Sequence, residues 1–306
     1  MNFDFGNVLT RAWQITWKHK TLWVLSALPM IVSFLIFPLS MLPVLFLPDA
    51  GGQSEMFPSA EIILPILFFA VLGFVLLISL VLSGVSMSAV TLGVLRVERG
   101  EGKLSFTSLL DDSKQYIGRM LAVFLMINLT LGFAFTLFFL VIFALTMVTM
   151  GMAAICVQPL MVLVTPLSFL MLGVLESAQA AVVVEDMSAF DAVKRGLNIV
   201  RENIWKYIII TFIVYLGSSL VMSIFMMPMM MPFFAMPFFL PSESPDPGML
   251  GTIMLGFMCL FFLLMAALQS VMMTFMKSAL CLSYLRLAAP KVDAPVFINH
   301  TETEIK

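Results

Sequence analysis

The stretch between Met120 and Leu175 constrains the fold most, because it contains no charged side chain at all. As a single helix it would be roughly 84 Å long at about 1.5 Å per residue, whereas the hydrocarbon core of a bilayer is about 30 Å thick. The stretch must therefore fold back on itself, and Met150-Gly151-Met152 offers a turn. We predict two consecutive membrane-spanning helices in this part of the chain.

Four further apolar runs have the length of a membrane-spanning helix, which needs about 20 apolar residues. They are Leu22–Leu47, Ile62–Leu95, Ile208–Met231 and Met249–Met276. Only 11% of the residues are charged, whereas a soluble domain usually carries about 25%. Backbone amides find no water in lipid, and none of these runs alternates as a barrel strand does. All six spans are therefore predicted to be helices.

The positive charges are segregated across these six spans. All 16 Lys and Arg residues fall on the side that holds both chain termini. The positive-inside rule assigns that side to the cytoplasm, so we predict a multi-pass protein of the cell membrane with both termini inside. The charged residues predicted on the opposite side are all acidic: Asp49, Glu55, Glu61, Glu243 and Asp246.

Two segments on the basic side have the pattern of amphipathic helices that lie in the headgroup plane. Residues 5–17 and 189–204 each place apolar side chains on one face and polar ones on the other, and they align with Arg11 opposite Arg195. A shorter and more polar copy begins at Ser108-x-x-Asp111, and Ser188-x-x-Asp191 resembles a capping box. Each copy leads directly into a span.

The even-numbered spans also end alike, with Ser-Ala pairs at 88–89, 177–178 and 278–279. We therefore predict an all-α integral membrane protein of three repeats, each an amphipathic helix followed by a helical hairpin. Parallel repeats of this kind predict a pseudo-threefold axis along the membrane normal. The repeats are residues 1–97, 104–186 and 188–287, followed by a cytoplasmic tail at 288–306.

Directly before the three Ser-Ala pairs stand Met87, Glu176 and Lys277. A charge within a span is costly and usually pairs or faces the bundle interior, so Glu176 and Lys277 are predicted to pair. The pair either fastens two repeats together or forms a gate or ion site, and fastening is favoured. Eight positions after each serine stand further candidate structural or gating charges, Arg96, Glu185 and Arg286.

For the other polar and sulfur-bearing residues, a functional role competes with a purely structural one. The segment 226–241 is rich in Met, Pro and Phe, and thioethers suit Cu(I), but Met also fills irregular apolar gaps. We therefore expect no metal site there, and we expect its prolines to end the fifth helix. The polar residues inside the spans are expected to form interhelical hydrogen bonds rather than line a pathway: Asn128, Gln158, Gln179 and Gln269.

The segment Ala180–Tyr207 resembles the signature stretch of a loose prokaryotic family, and residues 3–13 are similar to the usual opening of its members. This family is the membrane domain attached to some glycerophosphoryl diester phosphodiesterases, and it includes many stand-alone six-helix proteins. The phosphodiesterase itself is a soluble barrel that has no counterpart in this sequence. The resemblance implies the membrane fold without the activity.

A coupling loop of ABC permeases fits less well, because Gly196 is present but the Ala-Ala and Leu-Pro of that motif are missing.

Two classes of function remain. No hydrolase elbow, Walker loop or zinc motif occurs, so we expect neither an enzyme nor a bound cofactor. The net charge of −2 argues against a nucleic-acid partner. We favour a non-enzymatic scaffold, assembly factor or accessory subunit whose partners are the lipid bilayer and other membrane subunits. The alternative is a transporter or permease for a small or lipid-like substrate.

Overall fold

The structure is a computed structural model that describes residues 3–31, 60–101, 104–239 and 247–288. Every regular element within these ranges is an α-helix. In chain order the helices are α1 Phe5–Lys18, α2 Thr21–Ile31, α3 Ala60–Glu98, α4 Phe106–Val148, α5 Met152–Val184, α6 Ala189–Glu202, α7 Ile204–Phe239 and α8 Pro247–Ala288.

Five helices, α3, α4, α5, α7 and α8, are long and apolar enough to cross a membrane. They make the chain a multi-pass membrane protein. The first predicted span, Leu22–Leu47, is represented by α2, and its residues 32–47 lie outside the described part of the chain. The five spans are Phe68–Glu98, Phe106–Val148, Val157–Val184, Ile204–Met227 and Leu260–Ala288.

The predicted turn inside the long uncharged stretch is confirmed. Helix α4 ends at Val148 and α5 begins at Met152. Gly151 has a φ of 94° and Met150 a φ of 51°, both in the left-handed region. A glycine occupies that region without the steric cost of a Cβ atom, so Gly151 is the residue that lets the chain reverse.

Two predicted helix limits are wrong. The middle amphipathic copy is not a separate helix, because α4 runs without a break from Phe106, after the N-cap Ser105. At the matching positions α1 and α6 have the C-cap residues His19 and Asn203, whereas α4 has Met120, a better helix former. The prolines at 228, 232 and 237 do not end α7, which continues to Phe239. A membrane helix tolerates proline because neighbouring helices, Ser/Thr side chains, ordered waters or local adjustments of the helix satisfy the freed backbone groups.

Helices α3, α5 and α8 contact one another and form the centre of the bundle. Helix α4 packs against α3 and α5, and α7 packs against α5 and α8. Helix α2 reaches α8 through a 2.7 Å hydrogen bond between the hydroxyls of Ser26 and Thr274. The three Ser-Ala pairs at 88–89, 177–178 and 278–279 are all completely buried. Small side chains at these points allow the central helices to approach closely.

Tight packing is concentrated at one end of the bundle, which we call the charged end because α1, α6 and all the ion pairs of the described residues lie there. In α4 the last buried residue is Ile127, and in the described side chains of α7 it is Val214. Farther from this end, large apolar side chains such as Phe133 and Leu220 are exposed. Exposed apolar side chains at this depth are the surface expected to face lipid.

The amphipathic helices α1 and α6 form as predicted. Each buries one edge of its apolar face against the bundle, with Val8 and Ala192 fully enclosed. The other edge stays about half exposed, with Trp17 on α1 and Leu197 on α6. This distribution suits helices that lie between a bundle and the lipid headgroups.

Candidate functional site

The centre of the charged end holds a buried polar cluster of Glu176, Gln179 and Lys277, which we call the central cluster. The Lys277 ammonium donates to Glu176 Oε1 at 2.9 Å and Oε2 at 3.0 Å, and to Gln179 Oε1 at 2.9 Å. All three residues are less than 10% exposed. The predicted contact between Glu176 and Lys277 is therefore present.

Three helices contribute to the cluster. Glu176 and Gln179 lie one turn apart on α5, and Lys277 comes from α8. The Gln179 amide also points its Nε2 at the sulfur of Met87 on α3, at 3.5 Å. Met87, Glu176 and Lys277 are the three residues that precede the Ser-Ala pairs, so the structure brings all three predicted equivalents to one point.

The cluster is closed in chemical terms. A lysine ammonium has three donors, and the three hydrogen bonds account for all of them. Each carboxylate oxygen of Glu176 accepts one of these bonds, so the Lys277 ammonium has no donor left for a further ligand. Burial of such a pair is tolerated only when these partners are satisfied, and loss of one partner leaves an uncompensated charge.

Glu185 lies at the end of α5 and joins three helices. Its carboxylate forms an ion pair with Arg195 of α6 at 3.2 Å and accepts a hydrogen bond from the Tyr284 hydroxyl of α8. Partial burial opposes the ionisation of Arg195, but Glu185 outweighs it and raises the pKa of the guanidinium. This contact holds α6 against the bundle.

The two remaining candidate charges lie apart from Glu185 and from each other. Arg96, at the end of α3, donates to Ser108 Oγ at 2.9 Å and pairs with Asp112 on the first turns of α4. Arg286, near the end of α8, donates to Asn7 Oδ1 of α1 at 3.0 Å. Each of the three charges therefore contacts an amphipathic segment rather than a common site.

The caps of the amphipathic segments correct the predicted register of the middle copy. Asp4 and Ser188 accept from the backbone amides of Asn7 and Asp191 and cap α1 and α6. The corresponding cap of α4 is Ser105, which lies three residues before the predicted Ser108. With this register, the residues four positions after each cap are fully buried in all three segments, and they are Val8, Leu109 and Ala192.

The same register places a paired charge on each segment. Seven positions after the caps stand Arg11, Asp112 and Arg195. Arg11 forms a 2.7 Å ion pair with Glu98 at the end of α3, and the other two pair with Arg96 and Glu185. The residue at this position therefore links each segment to the end of a central helix through an ion pair.

Metal-binding residues do not converge in the part of the chain that the structure describes, where no three His, Cys, Asp or Glu side chains group together. Cys281 is buried and free. The side chains of residues 231–241, which make up most of the Met-rich segment, lie outside the described residues. The Cu(I) alternative for that segment stays a hypothesis.

Comparison of the chain with protein-family models, with curated proteins and with solved structures finds no match. The resemblance to the phosphodiesterase-associated membrane domain therefore stays a prediction from Ala180–Tyr207 and residues 3–13. The function of the chain is therefore inferred from the contacts between its own residues.

Proposed function

We propose that the chain spans the membrane six times, with the first span completed by residues 32–47 and with the charged end in the cytoplasm of the cell. The support is the position of the ion pairs: those formed by described residues all involve the ends of the central helices or the segments between them. Positive charge collects on the cytoplasmic side of membrane proteins.

The three-repeat architecture belongs to the same proposal. Helix α1 packs on α8, the first turns of α4 pack on α3, and α6 packs on α5. Each amphipathic segment thus contacts the last helix of the preceding repeat. Because the first segment contacts the last helix of the third repeat, the contacts form a closed ring, as a threefold arrangement requires. Exposed amide side chains stand ten positions after each cap, at Gln14, Gln115 and Asn198.

On this architecture the protein acts as a non-enzymatic scaffold, assembly factor or accessory subunit of a membrane complex. The closed central cluster carries the proposal. Because Lys277 is satisfied by Glu176 and Gln179, the middle of the charged end is a fastening point rather than an open ligand site. The fastened segments around it form a fixed surface, the platform, which consists of α1, the first turns of α4, and α6.

Photo-crosslinking in native membranes tests the proposal. A photoreactive side chain is placed at Gln14, Gln115 or Asn198 on the platform, and as a control at Leu129 on α4. The exposed fraction of Leu129 is 68%, at a position that should face lipid. We expect the platform positions to yield one discrete protein adduct, whose partner also co-purifies at constant stoichiometry through size exclusion. The control should yield only lipid adducts.

Two results would contradict the scaffold proposal. One is a monodisperse protein without platform adducts. The other is substrate-dependent flux in liposomes that contain the purified protein alone, which would establish the transporter alternative. In that case Glu176→Gln should abolish flux, whereas a fastening role predicts that flux is absent before and after the substitution.

A further inference from the structure

The junction between α1 and α2 is a tight corner at the charged end. Helix α1 ends at Lys18, and α2 begins at Thr21 after His19 and Lys20. The Trp23 indole of α2 donates to the Thr16 carbonyl of α1 at 2.7 Å and fixes the angle of the corner. An amphipathic helix is thereby joined rigidly to a helix that enters the membrane.

A row of aromatic rings covers this corner. The ring centroids of Trp23 and Trp17 are 5.1 Å apart, those of Trp17 and Trp13 are 5.4 Å apart, and Phe275 of α8 follows at 5.8 Å from Trp13. Trp13 and Trp17 are each 47% exposed. Tryptophan concentrates at the membrane–water interface, so these rings mark the headgroup level of the charged end.

Lys18 directly follows Trp17 in the chain, and Lys20 lies between α1 and α2. Both are exposed, and neither pairs with a carboxylate in the part of the chain that the structure describes. The matching position of the middle segment is Arg119, which pairs with Asp186 at 2.7 Å. The matching position of the third segment is an acid, Glu202. The α1–α2 corner thus carries two exposed cations that form no ion pair with a described carboxylate.

We infer that the α1–α2 corner, formed by Trp17, Lys18, Lys20 and Trp23, binds the headgroup of an anionic phospholipid. The ammonium groups attract the phosphate and the extra negative charge of the headgroup, as basic residues beside an anionic leaflet do. The indoles lie against the glycerol and upper acyl region, where amphipathic rings are favoured. This lipid site does not need the proposed scaffold function, but it rests on the proposed cytoplasmic orientation of the charged end. In that orientation it would anchor one side of the platform to the inner leaflet.

Tryptophan fluorescence tests the site directly, because the chain has only four Trp residues. Trp205→Phe leaves Trp13, Trp17 and Trp23 as reporters. The protein is placed in nanodiscs of phosphatidylcholine with about 20 mol% phosphatidylglycerol. Bromine quenchers are carried either by the phosphatidylglycerol or by an equal amount of the phosphatidylcholine. We expect roughly twofold stronger quenching when the anionic lipid carries the bromine.

Matched variants separate the corner from the rest of the surface. Lys18→Gln with Lys20→Gln should remove the difference between the two brominated lipids. Lys114→Gln, which alters an exposed lysine paired with Asp111, should leave it unchanged.

Equal quenching by both lipids in the parent, or a preference that survives the double substitution, would overturn the inference. Loss of the preference on addition of inorganic phosphate would show that the corner takes free phosphate instead of lipid. Unchanged unfolding temperatures establish that all variants fold.

Discussion

At the residue scale, the contact between Glu176 and Lys277 dominates the energetics of the charged end. Both charges are nearly excluded from solvent, so each depends on the other and on Gln179 for the interactions that water would otherwise supply. The sequence alone identifies the pair, because two charges interrupt otherwise apolar spans. It does not assign Gln179 to the pair, since a polar side chain in a span can also bond within its own helix. Asn128 does so with the Phe124 carbonyl, and the interhelical hydrogen bond predicted for it is wrong.

Exchange of the two charges tests this contact. Glu176→Lys and Lys277→Glu should each destabilise the protein by about 3–5 kcal/mol, because each leaves like charges buried together. The double substitution should recover much of the loss, since the Gln179 amide can turn to donate instead of accept. Thermal unfolding in detergent of the two single variants and the double variant measures the coupling. Additive effects would show that the two side chains do not interact.

An exposed ion pair supplies the control for that exchange. Arg119 pairs with Asp186 at 2.7 Å, but the Asp186 side chain is 73% exposed. Such pairs contribute about 0–1 kcal/mol, so Asp186→Asn should change the unfolding temperature little. A large effect there, equal to that of Glu176→Lys, would mean that detergent stability does not distinguish buried from exposed charges in this protein.

At the element scale, local sequence signals succeed where the backbone has a special conformation and fail where tertiary context decides. The left-handed Gly151 and the Ser188 cap mark real helix limits. Ser108-x-x-Asp111 has the local pattern of a cap, but Ser105 is the residue that precedes the first buried turn of α4. No local pattern shows that α7 passes its prolines, because that depends on whether surrounding groups satisfy the freed backbone positions.

The contact between α6 and α5 depends on Gly196. A Cβ atom at Gly196 would lie 2.8 Å from the backbone nitrogen of Ala178 and 2.9 Å from the Val174 carbonyl oxygen. Gly196→Ala should therefore push α6 away from α5 and cost about 1–3 kcal/mol, as overpacking of a close contact does. Thermal unfolding measures the loss, and faster proteolysis within α6 should accompany it.

A second glycine provides the matched control for this substitution. Gly132 lies in α4, and a Cβ atom added there would meet no described atom within 4 Å. Gly132→Ala should be neutral or stabilise the helix by about 0.5–1 kcal/mol, because alanine has the higher helix propensity. If Gly196→Ala is as well tolerated as Gly132→Ala, α6 does not pack on α5 at this close distance.

At the scale of the whole molecule, the membrane class follows from composition and run length, and the described helices agree with it. The order of the helices around the centre could not be predicted from hydropathy, because apolar runs carry no information about which neighbours they choose. What the sequence does predict is the side on which each connection lies, since the Lys and Arg residues are so completely segregated.

Cysteine labelling tests this topology. In a background without Cys156, Cys259 and Cys281, single cysteines are treated with a membrane-impermeant maleimide in intact cells and after the membrane is opened. The turn residue Met150 is 97% exposed and should react in intact cells, as should positions 52 and 244, which lie outside the described residues. Positions 10, 105, 190 and 300 should react only after opening, because they flank the cationic segments that the positive-inside rule retains in the cytoplasm. Since each position belongs to a different connection, one label on the wrong side would remove the six-span arrangement and leave only the five described spans.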